Sequence, residues 1–146
     1  MKKLFLSLTV MLFGYAAFAQ NTNKFLPNYI ALKNALVSGD SKAASQALTA
    51  FQQSIKEDDN FAQKDALLRA TETMAKAGTI DKLRAAFNDV STNLWQVVKS
   101  AENVTGSVYY QYCPMKKAYW LSGEKEIKNP YYGSAMLSCG NVVETK

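Results

Sequence analysis

The feature that most constrains this chain is a run of apolar residues at alternating steps of three and four: Ile80, Leu83, Phe87, Val90, Leu94, Val97 and Ala101. That spacing lays one apolar stripe along a helix of about Ile80 to Ala101, the seam of an antiparallel bundle. A helix with one apolar face has to bury it against partners, and the preceding sequence offers three. A first helix is expected over about Pro27 to Val37, with proline in the favoured first turn and Tyr29, Leu32 and Leu36 on one side. Ser38-Gly39-Asp40 then reads as a stop and a restart, with glycine at the left-handed position and Asp40 capping the next helix. That helix, about Ser41 to Lys56, aligns Ala44, Ala47, Leu48, Phe51 and Ile55. Glu57-Asp58-Asp59-Asn60 reads as a solvated loop. A third helix, about Phe61 to Lys76, turns Ala66, Leu67, Ala70 and Met74 inward and ends by Gly78. The expected fold is mainly α: an up-down antiparallel four-helix bundle over residues 27–101, with a short irregular and β C-terminal segment packed on it.

After Gly106 the pattern changes. Ser107 to Tyr112 is β-branched and aromatic, as in a short strand. Pro114, Gly123, Pro130, Gly133 and Gly140 punctuate the rest of the chain, and six of the eight tyrosines lie after Gly106. Such a segment holds too few long apolar elements to fold alone. Residues 107–146 are therefore expected to form a Cys-, Met- and Tyr-rich tail within one domain spanning 27–146.

The N-terminus reads differently again. Lys2 and Lys3 precede an apolar run from Leu4 to Phe18, which closes in Ala17-Phe18-Ala19. This is the layout of a secretory signal peptide over residues 1–19, followed by a linker over 20–26. At roughly 15 residues the run falls short of the ~20 that a spanning helix needs, so no membrane insertion is expected after cleavage. Removing Lys2 and Lys3 takes the basic total from 17 to 15 against 12 acids. The lysines are scattered among acids, which gives no clustered basic face for nucleic acid. A periplasmic or secreted location is expected, and export places both cysteines in an oxidising compartment.

Catalysis is not expected. The chain has no histidine, which removes the usual general base and any Ser-His-Asp or Cys-His arrangement. No phosphate-cradling glycine loop is present, and Cys113 and Cys139 are too far apart in sequence for a Cys-x-x-Cys redox motif. What stands out is sulfur in two local pairs: Cys113-Pro114-Met115 and Met136-Leu137-Ser138-Cys139. Should the intervening chain double back, Cys113, Met115, Met136 and Cys139 converge. Thiolates and thioethers together select soft ions, Cu(I) above all. Zinc sites want four Cys or His ligands, and calcium wants clustered oxygens. Trp120 lies between the pairs, where its face could meet a bound cation. The alternative is a Cys113–Cys139 disulfide, which would contribute about 3–4 kcal/mol on the chain-entropy model and leave the methionines as packing atoms. A sulfur separation near 2 Å would mean the bond. Roughly 3.5–4 Å with both methionines turned inward would mean a preformed ion site.

The tail carries an ordered set of motifs. Tyr112-Cys113-Pro114-Met115, Tyr119-Trp120-Leu121-Ser122, Ile127-Lys128-Asn129-Pro130-Tyr131-Tyr132-Gly133, Met136 and Cys139-Gly140 closely resemble those of a domain family of unknown function, number three-three-four-seven in that series. The resemblance covers about residues 27–146. It implies a small exported domain of Bacteroidetes-type bacteria, also found fused to periplasmic adaptor subunits of heavy-metal efflux pumps. It further implies copper or related metal handling, with an efflux adaptor or a copper chaperone as partner. The Tyr-Cys-Pro-Met opening is also similar to the start of a short heavy-metal-binding domain. There the chain departs from the pattern, with Lys116 where a histidine would follow the methionine. A second class of function stays open: a disulfide-stapled interaction domain that docks without metal through its tyrosine-rich surface.

Overall fold

A computed structural model describes residues 22–58 and 61–146. The signal-peptide expectation for residues 1–19 therefore lies outside the described residues. Four helices pack together: α1 (Thr22–Ser38), α2 (Ser41–Lys56), α3 (Lys64–Ala75) and α4 (Ile80–Ser100). A three-stranded antiparallel sheet comes after them, built from β1 (Tyr109–Cys113), β2 (Ala118–Ser122) and β3 (Asn141–Thr145), with β1 central and a 3₁₀ turn, Gly133–Met136, before β3.

The apolar seam of α4 is buried from Leu83 to Val97, and Ala101 is buried just past the helix end. Ile80 is only half covered. Between α1 and α2 the chain turns as its residues dictate. Gly39 takes φ +78°, and Asp40 accepts a hydrogen bond from the Ala43 N–H at 2.9 Å, satisfying a donor that a helix start leaves unpaired. Thr79 caps α4 in the same manner.

Two expectations need correction. Residues 22–26 are not linker: α1 begins at Thr22, with Pro27 inside it. The reason is burial. Phe25 is fully covered and stacks on Phe61 with ring centroids 5.7 Å apart, and that apolar gain outweighs the hydrogen bond that proline removes. Asp58, expected in a solvated loop, is buried and pairs with Lys24 at 3.5 Å. In α3, Leu67 and Met74 face inward as expected, but Thr71 is more deeply buried than Ala66 or Ala70.

The sheet is fastened to the bundle by specific bonds. β2 is an edge strand, and an edge leaves amides unpaired. Here Asn88 of α4 accepts from the Tyr119 N–H at 2.9 Å, and the Tyr29 hydroxyl of α1 accepts from the Leu121 N–H at 3.0 Å. Tyr29 is further held by Ser91 at 2.7 Å, and burial raises its pKa well above the ordinary phenol value. Aromatic stacking continues the contact: Trp95 of α4 lies on Tyr110 at 4.7 Å, Tyr110 on Tyr119 at 4.9 Å, and Tyr119 near Tyr112 at 4.5 Å. Gln111 and Trp120 pair across the strands and share the other face of the sheet. Residues 124–140 cover that face. The Gln111 side-chain amide donates to the Glu124 carbonyl at 3.0 Å, while Trp120 packs edge-on against Tyr131.

Candidate soft-metal site

The register of β1 and β3 brings the two cysteines together. Tyr112 pairs with Asn141, so continuing both strands by a residue carries Cys113 toward Gly140 and Cys139. Gly140 is what permits the approach. Its φ is +148°, and a Cβ there would lie 2.7 Å from the Trp120 ring and 2.9 Å from the Tyr112 carbonyl oxygen. Such distances forbid any side chain without displacement of the strand. Cys113 Sγ and Cys139 Sγ stand 3.2 Å apart as free thiols. Cys113 is fully buried at the end of the central strand, and Cys139 is half-buried.

The two sulfurs are not equivalent. Burial pushes the Cys113 thiol up. Against it act the Lys116 backbone N–H, the Cys139 thiol, the Asn129 side chain and the Met115 backbone N–H, and these bring it below its ordinary value. The Cys113-Pro114-Met115-Lys116 turn thus offers two amides to one sulfur, an arrangement suited to a thiolate. Cys139 shifts upward through its hydrogen bond with the Cys113 sulfur, with burial and the neighbouring charge adding to the effect and the Met115 backbone N–H opposing it. The amides of the turn therefore favour a thiolate at Cys113 over one at Cys139.

Asn129 ties the site together, a role that sequence reasoning did not assign. It is fully buried. Its amide donates to the Cys139 carbonyl at 2.6 Å, and its Oδ1 accepts from the Tyr131 and Tyr132 N–H groups at 2.8 and 3.3 Å. The available signal was the Asn-Pro step, which favours a side-chain-closed turn.

The methionines behave differently from the thiols. Met115 is 64% exposed and Met136 38% exposed. Both stand at the surface next to their cysteines instead of joining the core. The structure thus gathers the thiols and leaves the thioethers outside. Trp120, considered as a cation partner, is fully buried against Tyr131 and Gly140. The cation that approaches an aromatic face in this region is Lys116, 5.2 Å from the Tyr132 ring centre. Among the described residues no group of three or more His, Cys, Asp or Glu side chains comes together, which leaves the dithiol as the soft-donor focus. The tyrosines considered as docking anchors are largely spent on internal stacking.

A four-helix bundle with an appended antiparallel sheet is the class that these elements define. Residues 25–106 match the family model described as Protein of unknown function (DUF3347), which is more than half of the chain, and the chain belongs to that family. The match takes in the helices and stops at Gly106, so the sulfur-bearing tail lies beyond it. No curated protein and no solved structure matches the chain. No helix among the described residues is long and apolar enough to cross a membrane.

Proposed function

We propose that the protein is an exported, periplasmic module that binds Cu(I) or Ag(I) and serves metal efflux or resistance. The observation that carries this reading is the Cys113–Cys139 pair at 3.2 Å, with amides turned toward one sulfur. Soft ions are the cargo that such donors select. Cys113 and Cys139 would hold the ion, and the exposed thioethers of Met115 and Met136 would complete its surroundings. Two metal–sulfur bonds of about 2.3 Å span at most ~4.6 Å, so loading a linear site parts the thiols from 3.2 Å by roughly 1.4 Å, within reach of a rotation of the half-buried Cys139. Binding must expel whatever thiol protons remain. Apparent affinity is therefore expected to rise with pH through the range in which the two thiols titrate. An efflux adaptor or a copper chaperone fits as the partner that delivers or receives the ion.

The test is titration of the reduced chain with Cu(I) against a competing chelator. A Cys113→Ser/Cys139→Ser variant should lose at least a hundredfold in affinity. Equal affinity in the variant would overturn the reading. Export is checked separately by intact mass, which should place the mature N-terminus at Gln20. The second reading is a disulfide-stapled interaction domain without metal, and the thiol contact itself favours it. A quantitative Cys113–Cys139 bond in freshly isolated protein that takes up no copper after reduction would select it.

A further inference from the structure

The β1–β2 turn carries a second feature that the thiols do not use. Arg84 and Asn88 of α4, Lys116 and Lys117 of the turn, and Tyr131 line a pocket of about 300 Å³. Three cationic side chains line it, and no acid is among the lining residues. The nearby acid is Asp81, whose carboxylate is 3.9 Å from Arg84 Nη1 and 89% exposed. Three cations against one carboxylate leave two positive charges uncompensated.

Two of the donors, Arg84 and Asn88, are held in place by bonds to the backbone. Arg84 is held by two bonds to the Leu36 carbonyl, at 2.8 and 3.3 Å, and lies so close to Gly133 that a Cβ there would sit 2.6 Å from Nη2. Lys116 rests over the Tyr132 ring. Asn88 spends its Oδ1 on the Tyr119 N–H, which fixes the amide so that its NH₂ group, with no acceptor among the described residues, is available to the pocket. Tyr131 gives its hydroxyl proton to the Tyr119 carbonyl and supplies a wall.

We propose that this pocket binds a phosphoryl dianion, carried by a soluble phosphate ester or by a lipid head group. The Arg84 N–H groups not spent on Leu36, beside two ammonium groups, suit a multi-oxygen anion, and a net charge of two matches a dianion better than a single carboxylate. The site is independent of the copper reading, and its ligand should bind equally well to the Cys113→Ser/Cys139→Ser variant.

The test uses the full mature chain at low ionic strength. Inorganic phosphate and glycerol 3-phosphate are titrated while the Asn88 side-chain amide is followed by NMR, with acetate as the comparison and phosphatidic acid vesicles as a separate arm. Saturable one-to-one binding is expected, at least tenfold tighter than acetate. Lys116→Gln/Lys117→Gln should weaken it at least tenfold. Asn88→Asp, which keeps the acceptor for Tyr119 but removes the donor and adds a charge, should do the same. Lys56→Gln/Lys99→Gln, at the C-terminal ends of α2 and α4, should stay within twofold of wild type. Soluble phosphate that displaces the protein from vesicles would identify the head group as the source, and binding confined to soluble esters would identify those. Shifts spread over all surface lysines without saturation, or wild-type affinity in the pocket variants, would overturn the proposal.

Discussion

A single buried amide organises the thiol pair. Asn129 makes three hydrogen bonds within the tail and favours the Cys113 thiolate. Asn129→Ala leaves the Cys139 carbonyl and two amides without that partner, at a cost of about 2–3 kcal/mol. It should also move the Cys113 titration to higher pH, as read from ultraviolet thiolate absorbance. Lys33 poses the opposite problem. It is buried in α1, and desolvation lowers its pKa below the ordinary 10.5 although Glu124 acts in the other direction. Between its folded value and 10.5 the unfolded chain holds more protons, so stability should climb with pH through that window. Lys33→Met should abolish the climb and stabilise the protein near pH 7 by about 1 kcal/mol, as measured by urea denaturation at neutral and alkaline pH.

At the scale of elements, β3 and the turn before it decide whether the cysteines meet. Gly140 presses on both β2 and β1 through Trp120 and the Tyr112 carbonyl. Gly140→Ala should destabilise the fold by about 1–3 kcal/mol and lower Cu(I) affinity with it, whereas Gly123→Ala, whose added Cβ meets nothing within 4 Å, should change neither. Thermal melts and metal titration of the two variants make the comparison. β3 itself was hard to read. Asn141 to Thr145 is almost wholly exposed, so burial imposes no alternation on it, and its pairing partner lies about thirty residues back in the sequence.

At the scale of the molecule, bundle and tail depend on each other. α4 buries Trp95 and Phe87 against Tyr110 and Tyr131 of the tail, and α1 places Tyr29 under β2. A chain cut after Gly106, where the family match ends, should lose cooperative thermal unfolding, as followed by near-ultraviolet circular dichroism. Oxidising the thiols in the full chain would close a loop that should contribute about 3–4 kcal/mol. That gain, visible as a raised melting temperature, should disappear with reductant.

The helical half was legible in the sequence because its signal is local. A stripe of period three to four and a Gly39-Asp40 restart each act within one or two turns, and the structure keeps both. Where a local rule failed, at Pro27, a distant partner overruled it: Phe25 found Phe61. The tail was legible as residues and not as geometry. Sequence placed two thiols and two thioethers in one segment. Only the tertiary structure decided that the thiols meet while the methionines stay at the surface, that Asn129 joins them, and that Arg84 lines one pocket with the lysines of the hairpin. Those outcomes depend on contacts between residues far apart in the chain, set by strand register and by where a glycine lets two backbones close, and no local periodicity encodes them.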